Sequence, residues 1–217
     1  MIRKTIITFA FALLLFFLVF PQKGAIISVF QMTDEPLVIS KGNYGQSLIL
    51  EVSFSHDGFL VWLNSLKQPY PLLMLDANWI NRSPQFIEAI EKKNIPTGLL
   101  GGNGGTDYTI ELLKRDIAIY EKHFEEKPLW FMTADYKYTS ELQQATFSEQ
   151  INMISPTYLY KEGDKYPEEK GIIISIPLHE DSKPNFETLK EFMTSQKYLS
   201  IEENIFGYSM KTKKVPQ

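Results

Sequence analysis

Short apolar runs alternate with longer amphipathic stretches along most of the chain. Runs rich in Leu, Ile and Val and bounded by turn residues predict strands, and apolar residues spaced three and four apart predict helices. Predicted strands are 48–54, 71–75, 94–100, 129–132, 152–154, 172–176 and 198–201. Predicted helices are 59–66, 84–93, 106 or 107 to 124, 141–150 and 185–195. This alternation predicts an α/β fold with a mostly parallel sheet covered by helices, either open or closed into a barrel.

The first thirty residues have a different pattern. Arg3 and Lys4 precede an uncharged run, residues 5–20, that is rich in Leu, Phe and Ile. As a helix this run would be about 24 Å long, a little short of an average hydrocarbon core. A small-x-small cleavage motif is not evident, since Lys23 lies two residues before Ala25. We therefore favour an uncleaved membrane anchor over a cleaved signal peptide.

The resulting organisation has four parts. Residues 1–30 are the signal-anchor or signal peptide, 31–41 a linker, 42–205 the α/β domain, and 206–217 a basic tail. The positive residues at the N-terminus are expected to stay in the cytoplasm. The chain is thus expected in the cell membrane, as a single-pass protein with the domain extracytoplasmic, or secreted if the segment is cleaved.

Composition narrows the function classes. The formal net charge is −4, so no basic surface for nucleic acid is expected. The chain has no cysteine, which excludes thiol catalysis, thiolate metal sites and disulfides. The 44% hydrophobic content is ample for a packed core.

Candidate chemistry lies at strand ends. His56 and Asp57 follow the first predicted strand, and His179 follows the strand at 172–176. His56 and Asp57 are either a base with its orienting carboxylate or part of a remodelled metal site with His179; alternatively, Asp57 only fixes the turn. Asp76, at the next strand end, is a further candidate for a rebuilt site.

The order of these segments resembles the polysaccharide deacetylases with a NodB homology domain, carbohydrate esterase family 4, over about residues 37–205. Residues 54–58 correspond to the family's Thr-Phe-Asp-Asp-Gly motif, with Asp57 and Gly58 in common, and residues 177–179 match the closing Leu-His motif. It implies a distorted (β/α) barrel and metal-dependent removal of acetyl groups from amino sugars. It also implies that Asp57 is a metal-ligand position, that His56 replaces the base, and that His179 protonates the leaving group.

The sequence departs from the family at the other ligand positions. Leu100 and Gly104 stand where the family has two histidines, and the motif arginine is missing from residues 127–133. One ligand of three remains, whereas catalytic zinc sites normally have three protein ligands. Asp57 is therefore expected to be an unoccupied residual ligand position, with no cofactor bound.

Two functions follow from this pattern. In the first, a membrane-tethered deacetylase-like protein binds or acts on cell-wall glycan, or contacts a wall-synthesis protein, and is inactive as a metal-dependent deacetylase. In the alternative, the protein is an active hydrolase, an N-deacetylase of peptidoglycan or a related amino-sugar polymer. That hydrolase would have a rebuilt site at His56, Asp57 and His179 that could hold zinc.

Overall fold

The computed structural model describes residues 33–105 and 107–207. Eight strands lie within these ranges: β1 (Val38–Ile39), β2 (Gln46–Val52), β3 (Leu72–Asp76), β4 (Thr97–Gly101), β5 (Trp130–Thr133), β6 (Asn152–Ile154), β7 (Tyr158–Leu159) and β8 (Ile172–Leu178). Seven helices accompany them: α1 (Phe59–Ser65), α2 (Ala77–Arg82), α3 (Pro84–Lys93), α4 (Ile110–Phe124), α5 (Ser140–Ser148), α6 (Phe186–Ser195) and α7 (Ile201–Phe206).

All eight strands join one sheet, in the order β1-β6-β5-β4-β3-β2-β8-β7, and every pairing between them is parallel. The predicted α/β class with a largely parallel sheet is confirmed. Strands β1 and β7 are not paired with each other, so the barrel is incomplete. Because the strands are parallel, their carboxyl ends meet along one edge, where such folds place functional groups.

The two faces of the sheet differ in what they contact. One face carries residues such as Leu50, Leu73, Leu99 and Phe131, which pack with the apolar sides of the helices in one buried cluster. Side chains alternate along a strand, so Glu51 and its neighbours of the same parity lie on the opposite face. The helices therefore cover one face of the sheet, and the side chain of Glu51 lies on the other face.

Most predicted elements are present with ends within three residues of those predicted, but two predictions were wrong. The strand expected at 198–201 is one bridge, Ser47 to Leu199, followed by α7, whose start is held by a Ser200–Glu203 capping box. Helix α4 begins at Ile110 and is capped by Thr109, not by Asp107. Thr106, the other expected cap, lies outside the described residues.

Three short elements have no counterpart in the predictions. Strand β1 lies within the expected linker and pairs with β6, β7 pairs with β8, and α2 follows β3 directly. The predicted membrane segment at 1–30 lies outside the described residues. Within the described ranges, no helix is both long enough and apolar enough to cross a bilayer.

Candidate active site

A buried carboxylate lies at the centre of a group of polar side chains on the face of the sheet opposite the helices. Glu51, in β2, is fully buried, yet it is surrounded by donors. The Tyr136 hydroxyl donates to its Oε1 at 2.5 Å, the Ser175 hydroxyl donates to the same oxygen, and His179 Nε2 lies 3.2 Å from Oε2. Burying a carboxylate without partners is very costly, and these three donors supply Glu51 with hydrogen bonds inside the sheet.

Ser53 extends this group toward solvent. Its Oγ lies 2.8 Å from Nδ1 of His179, and both residues are partly buried. The register of the sheet explains the contact: β2 pairs with β8 so that Glu51 faces Pro177 and Val52 faces Leu178. One residue further on, Ser53 therefore meets His179 on the same face.

The contacts of His179 fix its tautomer. A carboxylate only accepts hydrogen bonds, so we assign the ring proton to Nε2, which donates to Glu51. In the neutral ring Nδ1 is then the acceptor, and the Ser53 hydroxyl donates to it. A serine hydroxyl, an imidazole and a buried carboxylate are thus joined in one hydrogen-bonded chain.

Tyr136 reaches Glu51 from the turn after β5. Its backbone has φ 58°, in the left-handed region that an aromatic residue rarely adopts. Burial, and then the nearby Glu51 carboxylate, raise the pKa of the Tyr136 hydroxyl well above its usual range. Tyr136 therefore keeps its proton and remains a donor to Glu51.

The three residues expected to form the site, His56, Asp57 and His179, make different contacts. His56 Nε2 donates to the backbone carbonyl of His179 at 2.8 Å, and its ring lies edge-on to Phe54, with the ring centroids 5.0 Å apart. Asp57 is exposed in the turn before α1, next to Gly58, which has φ 80°. The structure thus brings His56 to the backbone of His179, and it brings the imidazole of His179 to Ser53 and Glu51.

Asp76 has a structural contact. Its carboxylate caps α2 by accepting the backbone N–H of Trp79 at 2.8 Å. Burial raises the pKa of Asp76, and the cap and Arg82 oppose that shift. The indole of Trp79 in turn donates to the Ser55 hydroxyl at 2.8 Å. These contacts fix the loop that carries Ser53.

The same architecture occurs in solved structures at low sequence identity. A carbohydrate esterase family 4 pseudoenzyme from Bacillus anthracis aligns with a TM-score of 0.63 and 16% identity over 76% of this chain and 67% of that chain. The fold is that of family 4 carbohydrate esterases. The resemblance found in the sequence is confirmed at the level of the fold.

Two further family 4 structures align with this chain over nearly their whole length. A family 4 esterase from B. anthracis has a TM-score of 0.61 and 11% identity, covering 85% of this chain and 93% of its own. The chitin deacetylase from the fungal pathogen Colletotrichum lindemuthianum has a TM-score of 0.63 and 11% identity, covering 80% of this chain and 93% of its own. No protein-family model and no curated protein sequence matches the chain significantly.

The residues of this family 4 fold do not fit the divalent metal that the family implies. Leu100 is 2% exposed in β4 and carries no ligand atom on its side chain. Gly104 packs against Lys137 so closely that an added Cβ would lie 1.7 Å from the Lys137 carbonyl oxygen. Within the ranges that the structure describes, no three His, Asp or Glu side chains are grouped as metal ligands.

Of the hydrogen-bonded residues Ser53, His179 and Glu51 in this family 4 fold, only His179 was predicted from the sequence. The signal was nevertheless present, because Glu51 is the single charged residue in the apolar run 48–54 and Ser53 has the same parity. A charged residue inside a buried strand needs partners, which marks its face of the sheet as polar. The contributions of Tyr136 and Ser175 come from distant parts of the chain and left no local pattern.

Proposed function

We propose that this chain is a membrane-tethered, extracytoplasmic protein that binds cell-wall glycan and has lost metal-dependent deacetylation. The observation that carries the proposal is the state of the two family histidine positions. One is the buried Leu100, and the other is Gly104, whose Cβ position is filled by the Lys137 backbone. A ligand set lost in this way leaves the glycan-binding scaffold without its metal.

The structural neighbours support glycan as the ligand class. Those of similar fold include a peptidoglycan N-acetylglucosamine deacetylase, a chitin deacetylase and a family 4 pseudoenzyme. The first two act on polymers of N-acetylated amino sugars, and the third shows that the fold persists without the activity. A wall-synthesis protein is the other partner that this location would offer.

The first test combines binding with turnover. The purified domain is expected to sediment with insoluble peptidoglycan and to release no acetate from it, whether zinc is added or chelated. The physical reason is that residues 33–105 and 107–207 contain no grouped ligands to hold the metal that would polarise the acetyl carbonyl. Acetate release that depends on zinc and reaches ordinary enzyme rates would contradict the proposal, and so would failure to sediment.

Location is tested separately. The full-length chain is expected in the membrane fraction, with its domain open to external protease in cells stripped of their wall. Deleting residues 1–29 is expected to give a soluble domain, because the rest of the sequence has no other run near the 20 or so apolar residues that span a bilayer. Recovery of the untruncated chain in the cytosolic fraction would overturn the tethered topology.

One observation favours a second candidate, an active hydrolase. His179 keeps a hydroxyl on one ring nitrogen and a carboxylate on the other, as a general base requires. In the N-deacetylase version of this candidate, His56, Asp57 and His179 would share a substrate. Acetate released from peptidoglycan without added zinc, and lost in Asp57→Asn, would support that version.

A further inference from the structure

We propose that Ser53, His179 and Glu51 form a nucleophile–base–carboxylate triad that cleaves acyl esters without a metal. Ser53 supplies the attacking oxygen, His179 the base, and Glu51 is the positioning residue that holds the imidazole. The proposal goes beyond glycan binding because it assigns a chemical step to the family 4 fold that uses none of the metal-ligand positions.

The distances meet the requirements of such a triad. The nucleophile and base are within hydrogen-bond reach at 2.8 Å, and the base is oriented by a third group at 3.2 Å. Here the serine faces Nδ1 and the carboxylate faces Nε2. A triad is defined by these roles rather than by the order of residues in the chain, and either ring nitrogen can accept the proton.

Two donors outside the triad fix the orientation of the Glu51 carboxylate. Tyr136 and Ser175 both donate to Oε1, which leaves Oε2 directed at His179. The carboxylate cannot turn without breaking bonds in a fully buried position. It therefore keeps the proton of neutral His179 on Nε2 and stabilises the imidazolium that forms when the ring gains its second proton, on Nδ1.

An arginine and a cavity lie next to the backbone at the end of β2, which carries the nucleophile. Arg82 donates from Nη2 to the Ser53 carbonyl at 2.6 Å, and its guanidinium carries five N–H donors in all. Arg82 also lines a cavity of about 290 Å³ together with Phe54 and Ser55, the two residues after Ser53. Arg82 and this cavity therefore lie next to the segment that carries the nucleophile.

The reaction balances with water as the only co-reactant. The Ser53 proton moves to Nδ1 of His179 as Oγ bonds to the acyl carbon, and the carbonyl electron pair moves onto the oxyanion. When that pair returns, the bond to the leaving alcohol breaks and Nδ1 gives the alcohol its proton. Water then attacks the acyl-serine in the same way, giving the free carboxylic acid and restoring Ser53.

The expected substrate is an O-acyl ester, and that it is carried on glycan rests on the proposed function. An alcohol leaves more readily than an amine, so an ester places less demand on one imidazole than an N-acetyl group does. The probe for the test is a fluorophosphonate, which reacts covalently with activated serines, followed by p-nitrophenyl acetate. Both report on the triad itself, whatever the natural alcohol is.

We expect the fluorophosphonate to modify Ser53 of the full chain, identified by peptide mass spectrometry. Ser53→Ala is expected to abolish labelling and to reduce ester hydrolysis by about 10³-fold or more, as loss of a nucleophile does. Ser148→Ala is the matched control, because Ser148 is exposed on α5 and its hydroxyl donates to the Gln144 carbonyl of its own helix. The control should label at the native rate.

Glu51→Gln tests the positioning role. The carboxamide oxygen can still accept from Tyr136 and Ser175, while its NH₂ group would donate to His179 Nε2 and shift the ring proton to Nδ1. Labelling is expected to slow by about 10³- to 10⁴-fold with circular dichroism unchanged. Imidazole ¹⁵N shifts should report the change of tautomer, which a purely structural role would not produce.

The outcomes separate the two proposals. A folded domain that sediments with peptidoglycan but leaves Ser53 unlabelled would overturn the triad and leave glycan binding standing. Labelling in which Ser53→Ala or Glu51→Gln matches the native rate would also overturn it. Labelled Ser53 without sedimentation would uphold the triad and overturn glycan binding.

Discussion

Gly104→His, combined with Leu100→His to install the family's histidine pair, is expected to destabilise the domain instead of creating a metal site. A Cβ at Gly104 would lie 1.7 Å from the Lys137 carbonyl oxygen and 2.8 Å from Cγ2 of Thr133. Backbone must move to admit any side chain here, so we expect a loss of about 3–5 kcal/mol in the free energy of unfolding. Urea denaturation measures this loss, and zinc titration should show no stoichiometric binding.

Gly104→Ala and Gly105→Ala distinguish the steric effect of an added Cβ from the effect of the imidazole group. An added Cβ at Gly105 meets nothing within 4 Å, so that variant is expected to stay within about 0.5 kcal/mol of the native protein. Gly104→Ala should show most of the loss seen with histidine. Native stability of Gly104→Ala, or zinc bound tightly by the double-histidine variant, would contradict the conclusion that the backbone has closed over the ligand position.

Glu51→Leu is the second substitution with a large expected effect. Leucine fills a similar volume but leaves the hydroxyls of Tyr136 and Ser175 and the Nε2–H of His179 without their acceptor. A buried donor without a partner costs about 1–3 kcal/mol, so we expect a total loss of about 3–5 kcal/mol after partial relaxation. The midpoint of urea unfolding should fall accordingly, with far-ultraviolet circular dichroism showing the same fold before the transition.

A triple variant tests this explanation by removing the Tyr136 and Ser175 hydroxyls together with the carboxylate. Tyr136→Phe and Ser175→Ala, added to Glu51→Leu, are expected to recover part of the loss, because replacing both sides of a buried polar contact by apolar groups is far less costly than replacing one. The same pair of substitutions on native Glu51 should instead destabilise, since the carboxylate would lose two of its donors. Additive losses in the combined variant would show that the three groups are not energetically coupled.

The fold was largely predictable because its long elements carry their own patterns. The buried run of β2 and the amphipathic face of α4 can be recognised from a few neighbouring residues. Helix α2 could not, because six residues give fewer than two turns of periodicity. At α7 the β-branched and aromatic residues of 198–201 suggested a strand, although Ser200 and Glu203 already had the spacing of a capping box.

The site was less predictable because it depends on which strands become neighbours. Ser53 meets His179 across 126 positions of sequence, and Ser175 meets Glu51 across 124. The pairing of β2 with β8 brings these residues together, and no local pattern indicates it. The family motif directed attention to His56 and Asp57, which lie three and four residues beyond Ser53.

The shortness of the two outer strands limits how this molecule can associate. Within the described part of the chain, the sheet ends on one side in β1 and on the other in β7, each two residues long. A long unpaired edge is a template for strand addition by another chain, and two residues offer too few backbone groups for such a template. Edge-to-edge self-assembly through this sheet is therefore disfavoured.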